Sequence, residues 1–306
     1  MACALLQVHF KIELIIMMKK TINILLAMLL LSGLFAMAQI KPIKKPNAKP
    51  KTEKTTKTSN AKKHQPSSRK SKKATRSLPT VVQRLINDMV HVKGGTFMMG
   101  GTAEQGKDVY QSETPVHQVT LSSYYICKYE VTQELWQAVM GEEDPSYFYG
   151  SPKLPVEQVS WEECQDFIYE LNRLTGKNFR LPTEAEWEFA ARGGNLSKGF
   201  KYSGSNNIED VAWYNNNSEG FTHPVGEKAP NELGLYDMSG NVLEWCDDWY
   251  GDYSNASLTN PAGPLSGDYC VIRGGGWKSG AVSCRVSNRV LYPTEWSEEY
   301  GFRLAL

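Results

Sequence analysis

Histidine is scarce in this chain: five in 306 residues, at positions 9, 64, 91, 117 and 223. No two are spaced His-x-x-x-His, so no single helix can present paired imidazoles to zinc or iron. His117 and His223 lie in proline-containing segments and read as structural hydrogen-bonders. The chain has no nucleophile elbow, P-loop, dinucleotide fingerprint or Cys-x-x-Cys pair. These absences remove the usual sequence grounds for an α/β-hydrolase, a nucleotide-binding or a dithiol-redox assignment. There is no internal repeat. Long hydrophobic runs are missing too: the apolar stretch 22–35 falls short of the ~20 residues that span a bilayer comfortably.

That short stretch completes an export signal. Met18-Lys19-Lys20 supplies a positive start, Ile22 to Phe35 the apolar body, and Ala36-Met37-Ala38 a small-x-small cleavage site that leaves Gln39 as the first mature residue. Residues 1–38 are therefore read as a signal region with its true start at Met18, and the protein is expected in the periplasm or secreted to the cell surface. A retained N-terminal anchor is the alternative. No cysteine follows the cleavage site, so a lipid-anchor position is not seen.

The chain carries 34 Lys and Arg against 33 Asp and Glu, an average of two unlike parts. Residues 41–80 hold 14 basic residues and a single acid, Glu53, whereas residues 81–306 hold 17 basic and 31 acidic residues. The segment 39–80 is rich in Lys, Pro, Thr, Ser and Asn. It cannot bury enough apolar surface to offset its ordering entropy and is expected to be a disordered basic linker. Nucleic acid is not an expected partner of an exported chain. Loose attraction to an anionic envelope surface is.

From residue 81 onward Trp, Tyr, Phe and Gly become frequent. Ser160-Trp161-Glu162-Glu163 is a capping box, and Cys164, Phe167, Ile168, Leu171 and Leu174 follow on one helical face before Gly176. A second box, Thr183-Glu184-Ala185-Glu186, opens a helix through Trp187, Phe189 and Ala190 that stops at Gly193-Gly194. A weaker helix starts near Thr132 and carries Leu135, Trp136, Val139 and Met140. After Gly194 only short strand-like runs stand out, at 271–273 and 301–306, between polar loops. The reading is one α+β domain over 81–306, with few helices, short strands and much irregular loop.

Eight segments then occur in order: Gly94-Gly95-Thr96-Phe97-Met98-Met99-Gly100, Pro115-Val116-His117-Gln118-Val119, Tyr129-Glu130-Val131-Thr132, Pro155 to Trp161, Arg180-Leu181-Pro182-Thr183-Glu184-Ala185-Glu186-Trp187-Glu188, Gly234 to Trp245, Arg273-Gly274-Gly275-Gly276-Trp277, and Gly301-Phe302-Arg303. Together they resemble the formylglycine-generating-enzyme, or sulfatase-modifying-factor, family across nearly all of 90–306. The resemblance implies a fold related to C-type lectins. Most of the clustered aromatics are then scaffold, each bringing large apolar area and one polar handle.

The resemblance also implies a calcium site in Asp237-Met238-Ser239-Gly240-Asn241-Val242-Leu243-Glu244, with Asp237 and Glu244 as side-chain ligands and Gly240 and Val242 as carbonyl donors. Oxygen donors of this kind suit a hard cation that holds a loop. A buried ion pair between Glu244 and an arginine is the competing reading. The family's enzymes bind Cu(I) through two cysteines five apart after a Gly-Gly-Ser segment. In this chain the second is Cys284, but Ser279 stands at the first and Gly276 replaces the serine. A hydroxyl is a poor ligand for a soft monovalent ion, so copper is not expected. Relatives that form sulfoxides use histidine-bound iron, and their histidine cluster is not found here. Both the loop and the Gly-Gly-Gly strand line one region in the family, which makes Cys246–Cys284 the first disulfide candidate in an oxidising compartment. Cys164 reads as a core thiol.

The expected function is therefore a non-catalytic binding or scaffold protein of the cell envelope. Its groove over Trp277, Ser279, Cys284 and Trp296 would take an extended peptide, protein or glycan. The alternatives are a formylglycine-generating oxidase that borrows another thiol such as Cys246, and a different metal- or oxygen-dependent enzyme of the same family. N-terminal sequencing of protein recovered from the cell envelope is expected to begin at Gln39. A start at Met18 or upstream would establish a retained anchor.

Overall fold

The computed structural model describes residues 77–141, 144–294 and 298–306. The signal region and all but the last few residues of the basic linker lie outside the described residues. Helix α1 (Thr80–Asn87) leads into β1 (Met89–Val92), β2 (Gly95–Met99), β3 (His117–Leu121) and β4 (Tyr124–Cys127). Helices α2 (Gln133–Met140), α3 (Trp161–Thr175), α4 (Glu184–Ala191) and the single turn α5 (Ile208–Val211) follow. The chain then returns as β5 (Leu243–Trp249), β6 (Leu258–Thr259), β7 (Cys270–Arg273), β8 (Arg289–Tyr292) and β9 (Tyr300–Gly301). Among the described residues no helix is long and apolar enough to cross a membrane.

The strands form three small sheets. β1 pairs antiparallel with β4. β2, β3 and β6 make a second sheet, and β8-β7-β5-β9 the largest, in which β9 runs parallel to β5. The last residues behave less as a strand than as a seam. Val131 N–H donates to Phe302 O, Cys127 N–H to Leu304 O, and Ala305 bridges both Ile126 and Arg180. The expected strand over 301–306 is thus regular only at its start.

The capping boxes form as their sequences require. Ser160 and Glu163 satisfy each other's backbone N–H at the start of α3, and Gly176 closes it in the left-handed conformation. Cys164, Phe167, Ile168 and Leu171 are buried, but Leu174, read as part of the same face, is 38 % exposed because α3 overruns the core there. Thr183 and Glu186 cap α4 in the same way. Helix α1 lies in the segment read as the linker boundary. Its apolar face is narrow, with Val82 and Leu85 buried against Cys127 and Leu135.

Helix α4 is buried along its whole length, its three glutamates included. An isolated buried carboxylate is prohibitively costly, and each here is paired. Glu188 binds Arg273 and Arg192 and accepts Gly100 N–H at 2.9 Å. Glu184 is chelated by Arg289, with both contacts at 2.7 Å, and accepts from Tyr253. Glu186 makes two bonds to Arg180. Burial pushes the Glu184 carboxyl up, and the neighbouring Arg289 and Arg273 outweigh it, so it is held below its usual range. Elsewhere Glu113 grips buried Arg285, and Glu244 grips buried Arg303.

Removing one partner of such a pair leaves the other charge buried alone. Glu188→Ala removes the acceptor of Arg273 Nη2 and of the Gly100 N–H, leaving Arg273 only a 3.5 Å contact to a carboxylate, Glu184, and is expected to cost about 3–5 kcal/mol in urea unfolding. Glu170→Ala breaks only an exposed contact with Arg173 on α3 and is expected to leave the urea midpoint essentially unchanged.

Candidate functional site

The chain leaves β7 through Gly274-Gly275-Gly276 and turns at Trp277. Gly275 has φ +72°, and a Cβ there would stand 2.8 Å from Cys284 Sγ. This position needs glycine because the cysteine packs directly against its backbone. Cys284 ends a short 3₁₀ turn at 281–284 and is fully buried among Tyr202, Val211 and Tyr214. Burial, and to a smaller degree Glu299, pushes its thiol up to about 12. Without a bound metal, a thiol in that state is a poor nucleophile.

Ser279, five residues earlier, is bound into the turn. Its Oγ accepts Gly276 N–H at 3.0 Å and donates to Glu299 Oε2 at 3.5 Å. Trp277 stands half-buried beside it. Its N–H donates to Asn241 O at 2.7 Å, and its carbonyl accepts from Ser218 Oγ. Its ring meets Phe148 edge-on at 5.2 Å. Lys278 lies against the Trp277 ring and binds Glu298 and Glu299. The structure thus brings Trp277, Ser279 and Cys284 into one neighbourhood, with Cys284 beneath the surface rather than on it. Trp296 lies outside the described residues.

Phe148 and Glu157 were not singled out from the sequence. The loop that carries Tyr147, Phe148 and Tyr149 is anchored by Glu157, whose Oε1 accepts Phe148 N–H at 2.8 Å. Its Oε2 is buried without a partner, and burial raises the carboxyl to about 7. The signal for Phe148 was present, as three consecutive aromatics directly before a glycine. Glu157 gave none, since nothing local marks a buried acid.

The sequence-derived disulfide is corrected. All five cysteines of the domain are free and buried. Cys246 packs on β5 among Trp187, Phe189 and Ile126, whereas Cys284 belongs to the separate cluster around Tyr202 and Tyr214.

The 237–244 loop crosses beneath Trp277. Asp237 sits at φ +57°. Its Oδ2 accepts Gly226 N–H at 2.8 Å, and its Oδ1 is buried with no partner. Burial raises this carboxyl to about 6. Glu130 beneath it is pushed well above its usual value by burial and by Asp237 and Glu244. Glu244 takes two bonds of 2.6 Å from Arg303 and one of 2.7 Å from Trp187 Nε1. The ion-pair reading of Glu244 therefore holds in this structure. Among the described residues no group of three or more His, Cys, Asp or Glu side chains is placed to share one metal ion. The orphaned Asp237 Oδ1 is nonetheless the kind of donor a hard cation satisfies, and Glu244 Oε1 has a single hydrogen-bond donor.

Fold and loop together define a sulfatase-modifying-factor-type domain, C-type lectin-like in architecture. Residues 75–306 match the sulfatase-modifying factor enzyme 1-like domain, and the chain belongs to that family. It is 35 % identical over 253 residues to the chaperone protein LppX of Paenibacillus barcinonensis, across 66 % of this chain and 82 % of that one. It is 29 % identical to the formylglycine-generating enzyme of Streptomyces coelicolor, across 74 % of this chain and 91 % of the enzyme. Among solved structures it is similar to Treponema denticola variable protein 1, with 36 % identity, a TM-score of 0.65, and coverage of 71 % of this chain and 94 % of that one.

Treating the native protein with a thiol reagent at neutral pH is expected to modify none of the five domain cysteines, and all five once the chain is unfolded. Rapid native labelling of Cys284 would contradict its placement.

Proposed function

We propose that this chain is an exported, non-catalytic binding domain of the cell envelope, and that its groove around Trp277 takes an extended segment of a partner protein. The observation that carries this reading is the placing of Ser279 at the position of the enzymes' first cysteine, beside a fully buried Cys284. The donor set there is one thiol and one hydroxyl already engaged with Gly276 and Glu299, and a hydroxyl is a poor ligand for Cu(I). What remains at the surface is a recognition face. Trp277 and the exposed Tyr147 and Tyr149 supply aromatic anchors, with Glu298 and Lys278 on the rim. The relative that carries the name of a chaperone protein fits a binding role, and the relatives named formylglycine-generating enzyme carry the oxidase alternative. Calcium at Asp237, Glu244 and the carbonyls of Gly240 and Val242 would fix the loop under the groove and supply no chemistry. The basic linker would hold the domain near an anionic envelope surface.

The test is a binding screen of the mature chain against immobilised extended peptides and envelope glycans, with Trp277→Ala as control. Peptide binding weakened by about tenfold or more in the variant is expected, the loss typical of a central aromatic anchor. Selective capture of glycans would replace the peptide reading. Aerobic conversion of a cysteine peptide to an aldehyde in the presence of copper would overturn the non-catalytic one. Calcium is expected to raise the melting temperature of the wild type and not of Asp237→Asn. An equal response from both would remove Asp237 as a ligand.

A further inference from the structure

A second cleft, sharing no residue with the Trp277 groove, opens beside β5 and the loop that follows it. It holds about 390 Å³ and is lined by Met99, Trp249, Leu258, Pro261 and Pro264 among others. Its volume is that of a small-ligand pocket. At its base stands Asp248, only 4 % exposed. Asp248 Oδ2 accepts the Glu184 N–H at 2.8 Å and so caps α4. Oδ1 accepts no hydrogen bond among the described residues, and Asp248 is one of the residues lining the cleft.

Among the described residues no cation serves this carboxylate. Arg289, the guanidinium on the same cleft, is chelated by Glu184 and spends its remaining nitrogen on the carbonyls of Gly251 and Ser112. The other charged neighbours are acids: Glu184, Asp247 and Glu186 all act against its ionisation. Asp252 also lines the cleft, and Tyr253 and His117 are occupied by Glu184 and by Pro115 O. Burial and Glu184 together raise the Asp248 carboxyl to about 8.

We propose that this cleft is a binding site for a primary alkylammonium group, with Asp248 Oδ1 as its charge partner. A buried carboxylate without a counter-ion favours a ligand that brings one. The choice of ammonium over guanidinium follows from geometry. Only one oxygen of Asp248 is free, so the two-pronged pairing that favours guanidinium is closed, and a compact point charge fits better. The apolar walls suit the alkyl stem behind the charge. Such a group belongs either to a free amine or to a lysine side chain of another protein.

The probes are cadaverine for the free amine and Nα-acetyl-lysine amide for the side chain, titrated by calorimetry into the mature chain. Saturable binding of at least one is expected with Kd below roughly 10 mM. Cadaverine alone assigns the site to free amines, and the lysine amide at equal or better affinity assigns it to protein side chains. Because the cation binds ionised Asp248, affinity is expected to rise more than about tenfold from pH 6 to pH 9, as the competent fraction grows. Asp248→Asn keeps an oxygen for the Glu184 cap while removing the charge, and is expected to weaken binding by about tenfold or more with its melting temperature recorded alongside. Ala262→Trp, at the exposed rim, is expected to block the cleft with the acid intact. Failure of both amines to bind the wild type, or binding unchanged in Asp248→Asn, would overturn the proposal. Neither result bears on the Trp277 groove.

Discussion

The domain depends on a set of buried carboxylate–guanidinium pairs. Its regular structure is sparse, with the longest strand at seven residues and several strands of two. Backbone ladders cannot hold loops of this length, so side chains must. Helix α4 supplies the acceptors: Glu184 and Glu188 face Arg289 and Arg273, and Glu188 also ties down the turn after β2 through Gly100. Each pair must offset a large desolvation cost, which demands close geometry and nearly complete hydrogen bonding; Arg273 Nε is buried without a hydrogen-bond partner. That requirement fixes the loops. A loop displaced by an ångström would leave a charge unpaired in the core.

The same pairs locate the site. Arg273, Arg285, Arg289 and Arg303 are four pegs along the last part of the chain, all buried and each gripped by a glutamate from an earlier segment. Trp277, Ser279 and Cys284 lie between the first two pegs. The turn that carries them is therefore anchored at both ends. Trp187 links the two systems, since its indole donates to Glu244, the partner of Arg303, and lies against Arg273.

What was legible in the sequence was what local rules control. The two capping boxes predicted the starts of α3 and α4 because both halves of each box sit within four residues. The α+β class, the family and the loop-rich character followed from ordered motifs. Helix α1 was not legible: it begins at the edge of a polar, basic segment, and its two buried residues acquire meaning only against Cys127 and Leu135. Leu174 fits its helical face by period, but tertiary packing ends before it. The Cys246–Cys284 pairing failed because adjacency of segments does not fix which core cluster a side chain enters. The role of Glu244 could not be chosen from the loop alone, since its partner Arg303 is 59 residues away.

The contrast between Ser279 and Glu188 separates the side chains the fold requires from those it leaves free. Replacing Glu188 would strand charges in the core, so the scaffold resists change at every peg. A serine at position 279 costs the fold little, because its hydroxyl finds Gly276 and Glu299 within the same turn. Cys284 meanwhile is held by packing, with Gly275 on one side and the Tyr202 cluster on the other. It stays as a core thiol whatever stands at position 279. A sequence can thus keep all the motifs that define this fold and lose the donor pair that defines the chemistry. The motifs are the record of what the fold requires, and the activity must be argued from the few side chains the fold leaves free.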